Sequence, residues 1–446
     1  MAQIKVDFNN TVGRVKPMHA VNNGPVYKFG EVMSITNIEA FREAGIPYAR
    51  NHDASFYDMY GGEHTVDVHA IFTDFDADPY DPASYDFVCT DEYIRVCECA
   101  GVKTFYRLGS KIEHTIKKYG TLPPPDFHKW AVICEHIIRH YTEGWADGFH
   151  YDMEYWEIWN EADGNNDDAP DKPTWGGTHA EFYELYHIAA THLKKCFPHL
   201  KIGGPANSGR MSKVEEFLKQ LKAPLDFFSW HRYLSDPAPV MEFARKVRKL
   251  LDDNGFTDTE SILDEWNYVR SFFGDDWVYS LRREKDIKGA SYIAAMMCDC
   301  QRGPVDMLMY YDARPCPMNG MFSTDLVCDK LKGYYPFLMF NSLYKLGGSV
   351  SSETDCEKIH VSAASNGSEA AVMMTHFNDD DATEPMQCSV DLSGFGCENG
   401  TELEWYVLDE KNDLALVNKV VYFGDRFVWE PTVSNFTCYL LKLKKR

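Results

Sequence analysis

No apolar run reaches the ~18 residues that a membrane-spanning helix needs, and the start, Met1-Ala2-Gln3-Ile4-Lys5-Val6-Asp7, lacks the basic and apolar regions of a secretory signal. These absences predict a protein kept in the cytoplasm without membrane contact. Positive charge is also scarce: Lys plus Arg number 45 against 68 Asp plus Glu, a net charge of −23. Such a field repels phosphate backbones and anionic lipids, which argues against nucleic-acid and membrane partners. No glycine loop followed by Lys and Ser or Thr is present, and Gly203-Gly204-Pro205 lacks the dinucleotide spacing, so no cofactor is expected. Metal patterns fail as well. His136 and His140 are spaced like metalloprotease ligands, but Ile137 stands where the glutamate is required. Asp163, Asn165 and Asp167 imitate the start of a calcium loop, yet Asp168 replaces its glycine and Thr174 its terminal glutamate. The 13 cysteines are odd in number and sit within apolar patterns, so they read as reduced packing residues, with no disulfides and no metal.

What the chain does have is core-forming material. It is 44% apolar and 14% aromatic over 446 residues, enough for one large domain and a smaller one. From about Lys16 to Leu346, short apolar runs alternate with amphipathic helical stretches, the order of a parallel sheet wrapped by helices. Eight strands are expected, at Met18–Val21, Pro47–Arg50, Val102–Leu108, Tyr155–Trp159, Lys201–Gly204, Asp226–Trp230, Ser261–Asp264 and Val305–Tyr310. Helices are expected after each, among them Ile35–Ala44, His179–Cys196 and Ile287–Cys300, with capping boxes at Thr178/Glu181 and Ser212/Glu215. Eight such units fit a (β/α)8 barrel in the α/β class. After Leu346, short alternating strands between Gly, Asn and Asp turns read as a β-sandwich. The expected organisation is an N-terminal strand, 1–16, joining the sandwich; a catalytic barrel, 17–346; and the sandwich, 347–446.

Barrel chemistry sits where strands end. The fourth strand delivers Asn160-Glu161 and the seventh delivers Glu265. Two glutamates facing one mouth from opposite sides suit the paired carboxyls of glycoside hydrolysis, one as acid and one as nucleophile. In that chemistry Glu161 must hold a proton near neutrality, which burial beside Trp159 and the charge of Glu265 would favour, while Glu265 must stay ionised, helped by a nearby His or Arg.

The Asn160-Glu161 pair after an aromatic strand, and Glu265 after Ile262-Leu263-Asp264, resemble clan A glycoside hydrolases. Together with Arg50-Asn51-His52 and Phe228-Ser229-Trp230-His231-Arg232-Tyr233, they resemble glycoside hydrolase family 39, the β-xylosidases and α-L-iduronidases. That resemblance implies Glu161 as acid/base and Glu265 as nucleophile. It further implies that Asn160 holds the sugar O2 and that His52, His231 and Tyr233 line the subsite of the cleaved sugar, with Arg50 among the binding residues. Tyr233 stands where the iduronidase pattern has a carboxylate-binding lysine, which disfavours uronic acids. The xylosidase aromatic after strand three is replaced by Ser110, and the glutamate pair after strand eight by Tyr310-Tyr311-Asp312-Ala313-Arg314. Asp312 and Arg314 are expected to contact distal hydroxyls instead, and the aromatic segment Phe56–Tyr85 to wall the mouth into a pocket.

The expected function is a retaining exo-glycosidase that releases a neutral terminal sugar from short oligosaccharides by double displacement. The alternatives are another clan A activity, such as an arabinofuranosidase or β-galactosidase, and a non-catalytic glycan-binding protein on the same scaffold. An oligosaccharide or glycoside is the expected partner, and a homo-oligomer is compatible with the sequence.

Overall fold

The computed structural model describes residues 1–28, 35–53, 55–56, 62–63, 65–324 and 328–446. Eight parallel strands close a barrel in chain order: Ala20–Asn22, Tyr48–Arg50, Lys103–Leu108, Tyr155–Ile158, Lys201–Asn207, Phe227–His231, Glu260–Trp266 and Met307–Tyr310. Each lies within a few residues of its expected place. Parallel strands need crossovers, and the sequence supplies amphipathic helices for them. Helix His179–Cys196 begins with the reciprocal Thr178/Glu181 capping box and buries Phe182, Leu185, Tyr186, Ala189 and Leu193 on one face. Ser212 instead lies inside its helix, Met211–Gln220, whose preceding residue Arg210 makes no side-chain cap. The first helix starts at Ile38 rather than Ile35, because Ile35–Thr36 pairs with Tyr27–Lys28 in a small hairpin. A helix at Gly274–Arg283, not expected from the pattern, follows the seventh strand. It is short and charge-rich, with Asp275, Asp276, Arg282 and Arg283, and buries only Ser280.

The strands from Gly348 onward form one ten-stranded sheet, which the N-terminal strand Ala2–Arg14 enters between Gly348–Thr354 and Met386–Ser393. That sheet folds over on itself. Trp405, near one end of the strand order, touches Phe427 and Trp429 on the strand at the other end, with centroids 5.7 and 6.0 Å apart. Helix Ile287–Arg302 is buried along almost its whole length between barrel and sheet. Its Ser291 hydrogen-bonds Thr375 at 2.7 Å, and Lys288 reaches Asp379 and Asp381, each at 2.8 Å. Among the described residues no disulfide forms, and Cys97, Cys134, Cys298, Cys300, Cys388 and Cys438 are buried. Among the described residues, no helix is long and apolar enough to cross a membrane.

Within the barrel, side chains alternate in and out, so one face of each strand fills the interior. The lower interior is apolar: Ala20, Phe105, Tyr155, Phe227, Ile262, Met307 and Met309 form one buried cluster, with Tyr48 packed on it. Two residues further along the strands the inward face becomes polar, and the candidate site begins there.

Candidate active site

Six strands carry that polar level: Asn22, Arg50, Arg107, Glu157, Ser229 and Asp264, every one fully buried. Arg50 organises it. Its Nε donates to Glu157 Oε2 at 2.7 Å and lies 3.2 Å from Asp264 Oδ2. Nη1 donates to Asn22 Oδ1 at 3.0 Å and Glu265 Oε1 at 2.8 Å, and Nη2 to Asn160 Oδ1 at 2.7 Å. A planar guanidinium suits this task because its fork of donors can serve several carboxylates at fixed angles.

The two glutamates reach the mouth through irregular backbone. Opposite His231 the seventh strand slips register, so that Leu263 pairs with Trp230 but Glu265, not Asp264, pairs with His231. This bulge lets neighbouring Asp264 and Glu265 both join the site, a re-aiming typical of bulges beside active sites. Just after the fourth strand, Trp159 and Glu161 adopt left-handed φ angles of 74° and 48°, and Trp159 Nε1 is tied to Thr174 O at 2.9 Å. Non-glycine residues held there carry strain that the surrounding contacts must offset. Gly109 is needed opposite: with φ 156°, its added Cβ would lie 3.1 Å from Trp159 Cα.

His231 stands between the glutamates. Its Nδ1 donates to Glu161 Oε1 at 2.8 Å and lies 3.4 Å from Glu265 Oε2, while Nε2 faces Asp264 Oδ1 at 3.6 Å. Tyr233 Oη donates to Glu265 Oε2 at 2.7 Å. One carboxylate oxygen of Glu161 and one of Glu265 lie within 4.8 Å of each other. Glu161 is the more open, with 20% of its side chain exposed against 8% for Glu265.

The charges are unevenly stabilised. Burial would discharge His231, but Glu265, Asp264 and its hydrogen bond to Glu161 hold it well above the usual histidine range. Burial lifts the Glu265 carboxyl, and His231 and Arg50 only partly offset the shift. Asp264 would also be raised by burial, yet Arg50 and His231 overcome that and hold it below the ordinary aspartate value. Burial and the neighbouring Asp264 push Glu157 up to about 8 against the pull of Arg50. Of two adjacent buried carboxyls, Asp264 therefore carries the charge and Glu157 the proton. His52 is kept neutral, since burial, Arg50, Arg107 and His231 all lower its affinity for a proton.

Asn160, 1% exposed, turns its Oδ1 to Arg50, which leaves its buried Nδ2 without a partner among the described residues and able to donate to a ligand hydroxyl. Arg50 itself is fully buried with its donors engaged, so it reaches a sugar only through Glu265 and Asn160. Asp312 is likewise fully buried, accepts from Asn23 Nδ2 at 2.9 Å and the Arg314 amide at 2.7 Å, and lies 3.2 Å from Arg314 Nη2. It forms a structural ion pair rather than the expected contact to distal hydroxyls; Arg314 keeps 20% of its side chain exposed. Asp163 holds a loop by accepting from Asn207 and Ser208, at 2.8–3.0 Å.

Part of the expected aromatic wall, residues 57–61 and 64, lies outside the described residues. Of the remainder, Phe72 and Tyr85 pack edge to face at 4.9 Å, and Tyr85 packs on Trp145 at 5.0 Å, all against the helix after strand three. Phe72 and Phe75 line an apolar pocket of about 310 Å³ with Trp130, Pro124 and Trp159. An aromatic rim that the sequence did not reveal follows strand seven: Phe272, 48% exposed, lies 5.5 Å from the Tyr233 ring, and Phe273 is 82% exposed. Glu157 and Asp264 were also missed, although stepping two residues from Tyr155 and Ile262 points to both.

A model of glycosyl hydrolases family 39 matches residues 25–303. A β-xylosidase of Caldicellulosiruptor saccharolyticus is 29% identical over 196 residues, 38% of this chain and 38% of that protein. One from Geobacillus stearothermophilus is 26% identical over 175 residues, 34% of this chain and 33% of its own length. In fold, the chain resembles a glucosidase from Croceicoccus marinus (TM-score 0.79, 20% identity), covering 100% of this chain and 99% of that one. It also resembles a monomeric β-xylosidase from Caulobacter crescentus (TM-score 0.71, 16% identity), covering 100% of both.

Proposed function

The chain belongs to glycosyl hydrolase family 39, and on that footing we propose that it is a retaining exo-glycosidase that removes a neutral terminal sugar from short oligosaccharides. The observation that carries this reading is the close pair of carboxylates, with oxygens of Glu161 and Glu265 within 4.8 Å. Retaining enzymes hold their carboxyls ~5–5.5 Å apart, whereas inverting enzymes need ~6.5–9.5 Å to admit a water.

In the first step Glu265 attacks the anomeric carbon while Glu161 gives its proton to the leaving oxygen, and a glycosyl ester forms as the glycosidic bond breaks. In the second step a water loses its proton to Glu161 and its oxygen attacks the same carbon, which releases the Glu265 carboxylate. Arg50, Tyr233 and His231 hold Glu265 in place and favour its charged form. His231 also touches Glu161, so it can pass charge stabilisation from one glutamate to the other as the proton moves between steps. Asn160 Nδ2 would meet the hydroxyl next to the anomeric carbon, and Arg314 more distant ones.

Tyr233, hydrogen-bonded to the nucleophile, offers no cation to a uronate, which supports a neutral sugar. The likeness to β-xylosidases supports a pentose of the xylose type. A second reading keeps the chemistry and changes the sugar to an arabinofuranose or galactose; it is favoured by Ser110 and Asp312 at the two places where the xylosidase pattern differs. Assignment of catalysis to the barrel, 17–346, and of support to the sheet domain, and action in the cytoplasm, belong to the same proposal. A panel of chromogenic glycosides tests it. Release of xylose, or of another neutral sugar, with retained configuration is the expected result, and preference for a uronide or for intact polysaccharide would overturn it.

A further inference from the structure

Away from the mouth, the helices on either side of strand four, Phe127–Thr142 and His179–Cys196, bring three metal-binding side chains together on the outside of the barrel. His192 and Cys196 are one turn apart on the second helix, so both project from one face. Glu135 comes from the first. Its Oε2 accepts from His192 Nε2 at 2.6 Å, and the Cys196 Sγ lies 3.8 Å from that same nitrogen. Single ligand atoms of all three lie within 4.8 Å of one another. Glu135 Oε1 is held by Arg139 Nε at 2.8 Å, which fixes the carboxylate with its other oxygen toward His192.

We propose that Glu135, His192 and Cys196 form a zinc site that clamps these two helices, with solvent water completing the coordination. A tetrahedral zinc with its ligands ~2.0–2.3 Å away places nitrogen and sulfur about 3.6 Å apart and nitrogen and oxygen about 3.4 Å apart. The Cys–His pair already has that spacing, and the Glu–His pair needs to open by less than about 1 Å. The ligand set of one thiolate, one imidazole and one carboxylate selects a borderline or soft divalent ion over calcium or magnesium. Arg139 supplies the outer hydrogen bond that such sites use to orient a carboxylate. Access is provided by the half-buried setting, with His192 31% and Glu135 13% exposed. On binding, the thiol proton and any proton shared between His192 and Glu135 leave to solvent, and the ion takes their place.

A plain helix–helix ion pair accounts for Glu135, Arg139 and His192 and leaves the Cys196 thiol a weak hydrogen-bond partner of His192, whereas zinc makes it a full ligand. The clamp does not depend on the sugar chemistry. Zinc could also reach Glu161, His231 and Glu265, which lie within 4.8 Å of one another too, so the experiment must separate the two places. Whole protein is titrated with zinc chloride by calorimetry and with cobalt(II) by absorption, for wild type, Cys196→Ser, His192→Gln and Glu265→Gln. Expected are a thiolate-to-cobalt band and a rise in Tm with zinc for wild type and Glu265→Gln. Loss of that band and at least ~100-fold weaker zinc binding are expected for Cys196→Ser and His192→Gln, both retaining wild-type hydrolysis without metal. A band that survives Cys196→Ser, or wild type that takes up no zinc saturably, overturns the clamp. A zinc-dependent rise in Tm that persists unchanged in Cys196→Ser places the ion at the catalytic glutamates and likewise overturns the clamp.

Discussion

Two levels of side chains point into the same barrel from the same strands. Ala20, Tyr48, Phe105, Tyr155, Phe227 and Ile262 sit at the lower level, and Asn22, Arg50, Arg107, Glu157, Ser229 and Asp264 follow two residues later at the upper one. Both levels are buried, yet the lower is held by ring packing, such as Phe105 on Tyr155 and on Phe227, each at 5.2 Å. The upper is held by hydrogen bonds and ion pairs, Arg50 with Glu157, Asp264 and Glu265 and Arg107 with Asp67. The eighth strand stays apolar at both levels, with Met307 then Met309. A barrel floor of close-packed rings is stable in its own right. A buried charge network is a poor source of stability, because desolvation offsets its attraction, and it is useful for orientation and for tuning proton affinity. The upper level is therefore the part of the molecule arranged for chemistry at the expense of stability.

Substitutions that cross this boundary should separate the two properties. Glu265→Ala should lower kcat by ~10⁴-fold or more on every cleaved substrate while the Tm holds or rises, since a buried carboxylate is removed. Glycoside assays beside calorimetry check both halves; a Tm loss as large as that of a core variant would break the contrast. Phe105→Ala is the mirror case. It should cost ~3–5 kcal/mol of stability by opening a cavity, with kcat at low temperature within a few-fold of wild type, as denaturant titration and assay would show. Tyr233→Phe removes one hydrogen bond to a charged acceptor, worth ~1.5–3 kcal/mol, so kcat/KM should fall by roughly 10–100-fold. Because that bond favours the ionised Glu265, its loss should also move the acid limb of the pH–rate profile upward, an outcome mere loosening of the loop would not give.

The smallest effect, taken per pH unit, concerns Glu157. In the fold its carboxyl keeps a proton up to about 8, and in the unfolded chain only to about 4, so unfolding releases a proton between those values. Wild-type stability should thus fall with rising pH across that window relative to Glu157→Gln, by up to about 1.4 kcal/mol per pH unit. Parallel curves for the two proteins between those pH values would show that Glu157 is ionised like its neighbours.

Sequence legibility follows the same boundary. Alternation of apolar runs and amphipathic helices was enough to place all eight strands, since burying one face per element leaves a periodic trace. Glu161, Glu265, His231 and Tyr233 were legible because strand ends on one side of a barrel converge. The inward position of Arg50 was legible too, but its partners were not: whether a guanidinium meets a ligand or three carboxyls depends on the barrel's stagger and on a bulge at Asp264 that no local signal announces. The burial of Asp312 was hidden for a related reason, since it is set by Asn23 at the end of the neighbouring first strand, close in space but 289 residues away in sequence. Helix Gly274–Arg283 and the Phe272 rim stayed hidden because exposed, charge-rich segments owe no face to the core.

The account stands or falls on Glu265 forming a bond to the sugar. The most direct measurement uses a 2-deoxy-2-fluoro glycoside of the best-cleaved sugar carrying a good leaving group, which slows release of the glycosyl enzyme. Peptide mapping by mass spectrometry should then find one sugar on Glu265 in wild type and none in Glu265→Gln. A label on any other residue, or turnover to an inverted product without a label, would contradict the double displacement.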